Sequence, residues 1–331
     1  MFKPTLTQMA ILLSFMLIGF IVTKTKVVNA GAAKILARLE NTVFIPALIL
    51  NTFKNQFTVE SFSSSWKLLL FSLLTSLIII PLVLFLVKFI SNDSFIRKIS
   101  AYGLCFSNFN FMGNAVVTAL YGEEFFMNYF IFTLPLWIII YMWGAPALLM
   151  GCEDEDCRKN LPCAEAKPSC KKTLADRFKT LLNPMIVSLL IGVFLGISGI
   201  GPNLPGVLDK VIVTCSDCMS PIAMILTGIT FAGLDFKKVL STPTVYIVSA
   251  LRLLVIPFTI GGIAFLIKAF VIDIPAVYYV SFICVISMPL GLNSIIVPAA
   301  YGRDTSVPAG MALVSHVLSI LTIPLVMTLL C

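Results

Sequence analysis

The chain has 331 residues, of which 59% are hydrophobic and 12% are charged, and its formal net charge is +7. An ordinary soluble domain has about 25% charged residues, because a globular surface needs polar side chains that face water. This composition, with a mean hydropathy of +1.01, therefore excludes a soluble enzyme, a disordered protein and a nucleic-acid-binding module.

Apolar runs that are long enough to cross a bilayer recur along the whole chain. A helix needs about 20 apolar residues to cross a hydrocarbon core of about 30 Å. We predict ten transmembrane helices, at 6–23, 31–53, 66–90, 98–120, 125–150, 181–199, 206–233, 243–268, 275–299 and 306–330. These runs do not alternate apolar and polar residues as the strands of a β-barrel do. The predicted fold class is an all-α polytopic membrane protein, whose first span is a retained helix and not a cleaved signal peptide.

Ten spans place the loops alternately on two sides of the membrane, and the basic residues are shared unevenly between those sides. One side carries five of the 23 basic residues, namely Lys3, Lys54, Lys67, Lys210 and Lys268. Seventeen lie on the other side, and Arg252 lies within a span. Because cytoplasmic loops collect Lys and Arg, both termini are predicted to be extracytoplasmic and the polar loop 151–180 to be cytoplasmic. The bilayer predicted for this multi-pass protein is the cytoplasmic membrane.

The two halves of the chain share landmarks at an offset of 175 to 180 residues. The matching pairs are Pro4 and Pro184, Gly19 and Gly199, Pro46 and Pro221, Pro81 and Pro257, and Tyr121-Gly122 and Tyr301-Gly302. Because each half holds five spans, the second half enters the membrane from the opposite side, as in the inverted repeats of secondary transporters. The predicted organisation is a first five-helix repeat at 1–150, a cytoplasmic loop at 151–180 and an inverted second repeat at 181–331.

Polar and helix-breaking residues interrupt the fourth and ninth spans at matching places. They are Asn108, Asn110, Gly113 and Asn114 in the fourth span, and Pro289, Gly291, Asn293 and Ser294 in the ninth. Non-helical backbone is tolerated at membrane depth where it is buried in protein or lines a cavity. Two broken helices that cross bring four half-helix ends together, and the two N-terminal ends suit a carboxylate. These eight residues are therefore predicted to bind substrate, with Asn114, Asn293 and Ser294 either capping helix ends or bonding the substrate. The alternative is a pair of ordinary kinks whose Asn side chains join helices.

Three stretches of the sequence resemble the auxin efflux carrier family, bacterial members included. They are SNFNFMGNAVVTALYGEE in the fourth span, LLNPMIVSLLIGVFLG in the sixth and MPLGLNSIIVPAAYGRD in the ninth. The resemblance covers nearly the whole chain in order, and it implies two inverted five-helix bundles with crossed, broken helices four and nine. It also implies carriage of small organic anions, which are auxin in plants and dicarboxylates such as malate or malonate in some bacteria. The family usually has Pro two residues after the Gly of the fourth span, where this chain has Ala115.

Four ionisable residues lie within predicted spans, namely Glu40, Asp217, Arg252 and His316. Such residues are costly in a bilayer and indicate function. Asp217 is predicted to carry a proton or bind a cation, and Glu40 either shares that role or is solvated near the inner interface. Arg252 is predicted to neutralise Asp217 or Glu40, with a purely structural ion pair as the alternative. His316 either couples protons or is a satisfied packing residue.

The sequence contains no pattern typical of a cofactor or metal site. The central-loop residues Cys152, Cys157, Cys163 and Cys170 follow no zinc spacing and are predicted to be free thiols. Walker A, HExxH and Gly-x-Ser-x-Gly motifs are absent from the sequence, so neither ATP-driven transport nor enzyme activity is expected.

The predicted function is secondary transport of a small organic anion, such as a mono- or dicarboxylate, by alternating access, with efflux as the expected direction. An inside-negative potential expels a monoanion by about 2.3 kcal/mol per 100 mV, so export needs no coupled ion whereas uptake needs H⁺ or Na⁺. The alternatives are a cation-coupled, bile-acid-like symporter or antiporter with the same crossed helices, and a membrane sensor or channel that does not pump. The oligomeric state stays open, with a homodimer as one option.

Overall fold

The computed structural model describes residues 2–29, 31–57, 59–149, 184–236, 241–300, 303 and 305–331. The predicted loop 151–180 and its four cysteines lie outside these residues. Within the described residues the chain is helical, and the β-structure there is one isolated bridge.

Thirteen α-helices are found among the described residues. In the first half they are α1 (Phe2–Lys24), α2 (Ala32–Leu39), α3 (Ile45–Gln56), α4 (Val59–Leu86), α5 (Ser94–Cys105) and α6 (Asn114–Ile139). In the second half they are α7 (Pro184–Ile197), α8 (Gly206–Ala232), α9 (Pro243–Ala250), α10 (Gly262–Phe270), α11 (Ala276–Ser287), α12 (Asn293–Ala300) and α13 (Ser306–Leu330).

Wider π-helical turns connect several of these helices. They are Glu40–Phe44, Phe109–Gly113, Ile140–Leu149, Leu251–Val255 and Pro257–Gly261. Two of them end shortly before Pro46 and Pro257. Proline has no backbone N–H, and its ring clashes with the carbonyl of the residue four positions earlier, so the helix widens ahead of it.

Six helical stretches are long and apolar enough to cross a membrane by length and composition. They are Phe2–Lys24, Trp66–Phe89, Phe109–Leu149, Gly206–Ala232, Pro243–Phe270 and Ser306–Leu330. The third of these has 41 residues, about twice the length that a bilayer requires. Gly122 divides it, because its φ of 78° and ψ of 179° are not helical. Shorter apolar helices are Pro184–Ile197 and Ala276–Ser287.

Glycine lets α1 and α8 pack with their backbones in contact. A Cβ on Gly228 of α8 would overlap the carbonyl oxygen of Met16 in α1, and a Cβ on Gly19 would overlap that of Ile225. A Cβ on Gly196 of α7 would lie 2.6 Å from the carbonyl oxygen of Phe53 in α3. Helices in membranes associate through such small residues, since lipid supplies no hydrophobic force between them. The pairs α1–α8 and α3–α7 therefore form one tightly packed group of helices.

A polar cluster joins this group to α6. The buried Lys54 of α3 donates from Nζ to Asp209 Oδ1 of α8 at 2.7 Å and to Asn55 Oδ1 at 3.0 Å. Asn55 donates to Asn51 Oδ1 at 3.3 Å, and Asn51 donates to Glu123 Oε1 of α6 at 3.2 Å. The Lys54–Asp209 contact is an ion pair between α3 and α8.

Candidate functional site at two interrupted helices

The first interruption separates α5 from α6. The helix α5 ends at Cys105, and Asn108 has a non-helical φ of −78° and ψ of 48°. The backbone N–H of Asn108 donates to the carbonyl of Pro289 at 2.7 Å, and its own carbonyl accepts from Gly113 at 2.9 Å. The interruption predicted for the fourth span is therefore present, and a residue of the ninth predicted span supplies one of its backbone partners.

The second interruption separates α11 from α12. It runs from Met288 to Leu292, and Pro289 within it has no N–H to continue the helix. Leu290 forms an antiparallel bridge with Ser107 of the first interruption, and its N–H donates to Ser315 Oγ of α13 at 3.2 Å. The two interruptions thus contact each other through their backbones.

Gly291 permits this close contact. A Cβ at this position would lie 3.2 Å from the carbonyl oxygen of Ser107 and 3.3 Å from that of Phe106. Ser107 adds a side-chain hydrogen bond, because its Oγ donates to the carbonyl of Val285 at 2.7 Å. A larger residue than glycine would contact these carbonyl oxygens tightly, so one of the two backbone segments would have to shift slightly.

A small cavity of about 50 Å³ lies beside the two interruptions. Polar lining comes from Asn41, Ser107, Asn108, Asn110 and Asn293, and aromatic lining includes Tyr102, Phe109, Phe111 and Trp137. Pockets that enclose small organic ligands usually measure about 300 to 1,000 Å³, and this cavity has room for only a few water molecules. The conformation described here is therefore closed around the two interruptions.

The eight predicted binding residues all lie at the interruptions, and they divide into two sets. Asn108, Asn110, Gly291 and Asn293 line the cavity, whereas Gly113, Asn114, Pro289 and Ser294 are not among its lining residues. Asn114 donates to Asn110 Oδ1 at 3.2 Å, and Ser294 Oγ donates to the carbonyl of Gly291 at 2.7 Å. Both side chains bond locally and no capping hydrogen bond to a described residue is seen for them, whereas the predicted substrate contacts of Asn114 and Ser294 stay a prediction.

His316 holds Asn108 in place. Its Nδ1 lies 2.7 Å from the carbonyl oxygen of Ala312, and its Nε2 lies 2.9 Å from Asn108 Nδ2. A carbonyl only accepts, so Nδ1 carries the proton and Nε2 accepts from the amide. Phe231 packs edge-on against the ring at 5.5 Å. His316 thus has the geometry of a satisfied, neutral packing residue.

Arg252 is fully buried, and its guanidinium bonds to carbonyl groups at both interruptions. It donates from Nε to Met288 at 2.9 Å, from Nη1 to Leu104 at 2.9 Å and from Nη2 to Val285 at 3.0 Å. Leu104 and Val285 belong to the last turns of α5 and α11, where helix carbonyls lack partners within their own helix, and Met288 directly follows α11. The planar fork of Arg suits several fixed acceptors at once.

The two acidic residues predicted to pair with Arg252 do not do so. Asp217 lies on an exposed face of α8, and Glu40 is fully buried with neither carboxylate oxygen hydrogen-bonded to a described residue. The predicted ion pair is thereby corrected, because backbone carbonyls occupy the donors of the guanidinium. The alternative in which Glu40 is solvated is also corrected, since its side chain is 0% exposed.

Some residues of the site were not predicted from the sequence. Ser107 and Ser315 bond the interruptions as described, and the buried Tyr129 donates to the carbonyl of Phe109 at 2.9 Å. The position of Ser107 next to Asn108 could have predicted that it belongs to the site. No feature of the sequence distinguishes Ser315 or Tyr129 from other residues of an apolar helix. Asn41 lines the cavity from the π turn that begins at Glu40.

Comparison with known proteins identifies the family. No curated protein matches the chain. The family described as membrane transport protein, which is the auxin efflux carrier family, matches residues 4–327. It is a family of transporters and not of enzymes. Since the match spans nearly the whole sequence, the chain belongs to the auxin efflux carrier family of multi-pass membrane transport proteins.

Proposed function

We propose that the chain is a secondary transporter that carries a small organic anion, a mono- or dicarboxylate, across the cytoplasmic membrane by alternating access. The observation that carries the proposal is the contact between two interrupted helices beside a polar cavity. Discontinuous helices of this kind form the substrate sites of secondary transporters near the bilayer midplane. The amide groups of Asn110 and Asn293 and the N-terminal ends of the following helices supply donors for a carboxylate.

The membrane arrangement is part of the proposal. Ten spans in two inverted repeats would divide into a scaffold of spans 1, 2, 6 and 7 and a mobile bundle of the remaining six. The packing of α1 on α8 and of α3 on α7 supports the scaffold, because these helices belong to the first, seventh, second and sixth predicted spans. The basic loops would face the cytoplasm, with both termini outside.

The driving force is proposed to be the membrane potential for export, with proton coupling through Glu40 for uptake. Glu40 is buried and its carboxylate has no hydrogen-bond partner in the described part of the chain. An ionised carboxylate is costly in such surroundings, so a bound proton or cation would offset that cost. This observation favours a cation-coupled carrier over a channel or sensor. Asp217 remains a second proton carrier in this proposal.

Transport by purified protein in proteoliposomes tests the proposal. A panel of labelled carboxylates is offered under imposed voltage, pH and Na⁺ gradients, and at least one is expected to accumulate against its concentration gradient. Accumulation driven by a pH or Na⁺ gradient at zero membrane potential distinguishes a coupled carrier from a channel, because a channel brings an anion only to the ratio that the voltage sets. The organic-anion proposal fails if no carboxylate binds or moves under any gradient.

Variants then link transport to the cavity and to Glu40. Asn110→Ala and Asn293→Ala are expected to lower transport at least tenfold, because each loss of a buried hydrogen bond to a charged group costs about 1.5 to 3 kcal/mol. Asn203→Ala is the control, since Asn203 is exposed and its side chain donates to the carbonyl of Gly199, away from the two interruptions. Glu40→Gln is expected to abolish stimulation by a pH gradient while transport driven by voltage continues. A pH response equal to that of the wild type would rule out Glu40 as the proton carrier.

A further inference from the structure

Arg252 lies where the C-terminal ends of two half-helices meet, and no acidic side chain accompanies it. Its three hydrogen bonds reach the last turn of α5 through Leu104 and the end of α11 through Val285 and Met288. Among the described residues no carboxylate lies within ion-pair distance of the guanidinium. The positive charge of Arg252 is therefore balanced by helix ends and not by an acid.

A count of the helix dipoles shows what this charge does. Each helix end carries about half an elementary charge, negative at the C-terminus and positive at the N-terminus. The two C-terminal ends that Arg252 contacts sum to about −1, and the two N-terminal ends beyond the interruptions sum to about +1. Without Arg252 the four ends would cancel and would not favour either sign of ligand charge.

The guanidinium changes this balance by one full charge. Its +1 offsets the two C-terminal ends, so the N-terminal ends of the following half-helices are left as the net field at the cavity. His316 adds no charge there, because its ring donates to Ala312 and accepts from Asn108. Glu40, when it holds a proton, adds none either. A net field of about +1 matches a ligand that carries one negative charge.

The first half of the chain has no equivalent cation. The offset of 176 residues that relates Pro81 to Pro257 places Ser76 opposite Arg252. Ser76 is buried, donates to the carbonyl of Ser72 at 2.8 Å, and lines a small cavity next to Arg252. A single arginine therefore contacts the C-terminal ends of both half-helices, and the matching position in the first half of the chain does not supply a second positive charge.

We infer that Arg252 is a specificity-determining residue that makes this carrier selective for monoanions, by neutralising the carbonyl ends of both interrupted helices. The inference rests on the proposed function and sharpens its substrate class from mono- or dicarboxylates to monocarboxylates. Arg252 acts through the helix ends and does not contact the substrate, so it is also a positioning residue.

Wild-type protein supplies the first test. In proteoliposomes, transport is compared for the best monocarboxylate found, its primary amide and the same carbon skeleton with a second carboxylate. The monoanion is expected to be favoured over the amide by about tenfold or more, the effect of one unit charge across roughly a helix diameter at an effective dielectric constant of 20. It is expected to be favoured over the dianion because the second carboxylate would lose its water without meeting a second compensating charge. Equal or better transport of the dianion contradicts the inference, whatever the variants do.

Variants supply the second test. Arg252→Met is expected to lower the ratio of monoanion to amide transport about tenfold. Arg252→Lys is expected to keep that ratio but to slow transport of both substrates, because lysine retains the charge but not the planar fork of arginine. Arg97→Met is the control, because it also removes one positive charge, from a partly exposed side chain of α5 that has no part in the crossing. Melting temperatures in detergent show whether each variant folds, and Arg252→Gln replaces the Met variant if that one does not.

The two proposals fail in different ways. If wild-type protein moves no carboxylate, the proposed function fails. If it moves a monocarboxylate but the ratio is unchanged in Arg252→Met or lost in Arg252→Lys, the function stands and the role of Arg252 is wrong.

Discussion

Substitution of Gly228 by alanine should destabilise the protein, although alanine is the better helix former. Alanine gains about 1 kcal/mol over glycine inside a helix. At Gly228, however, the added methyl group would overlap the carbonyl oxygen of Met16 and lie 2.8 Å from both the carbonyl carbon of Met16 and the amide nitrogen of Phe20. Carbon atoms in favourable contact are about 3.5 to 4.0 Å apart.

The methyl group cannot be accommodated by a side-chain rotation, because all three neighbouring atoms belong to the backbone of α1. The helices α1 and α8 must therefore separate by about 1 Å along their contact. Overpacking of this kind costs about 1 to 3 kcal/mol, and the backbone clash places Gly228→Ala at the upper end. After the gain in helix propensity, the net loss is about 2 kcal/mol.

Gly262→Ala is the matched control. Gly262 is also helical, at φ −64° and ψ −41°, and a Cβ there meets nothing within 4 Å. This variant should gain up to about 1 kcal/mol, so the two variants should differ by about 3 kcal/mol. In thermal unfolding in detergent, Gly228→Ala should melt about 5 °C or more below Gly262→Ala. Equal melting temperatures would refute the assigned backbone contact between α1 and α8.

Three further predictions follow from individual contacts. Asp209→Asn should lower the melting temperature more than Lys54→Met does. The first variant leaves the buried ammonium group of Lys54 without its carboxylate partner, whereas in the second the remaining carboxylate of Asp209 is 42% exposed and can be hydrated. Equal melting temperatures of the two variants would contradict this asymmetry. His316→Phe should slow transport severalfold by freeing Asn108 but leave its pH dependence unchanged, and an altered pH profile would indicate that the imidazole titrates. Gly113→Ala should impair transport because its methyl group would overlap the Tyr129 hydroxyl, and Tyr129→Phe should partly restore it in the double variant; no restoration would mean that the steric assignment is wrong.

The amino-acid sequence was sufficient to predict an all-helical membrane protein and the two places where a helix breaks. Composition and run length predict apolar helices because a bilayer accepts only segments that satisfy their own backbone. The polar residues around Asn108 and Pro289 predict interruptions, because amide side chains and a missing N–H are poor choices within a lipid-facing helix. In the structure the chain is interrupted at both places.

The partners of the buried charged and polar residues were decided only by the tertiary structure. Arg252 was predicted to pair with an acid, yet it bonds to Leu104, which is 148 residues away in the sequence. His316 contacts Asn108 across 208 residues. A membrane helix is apolar on all sides, so its sequence carries little amphipathic pattern to show which face turns inward. For that reason the sequence could place Arg252, Glu40 and Asp217 only within predicted spans, and packing decided which of them is buried and what each contacts.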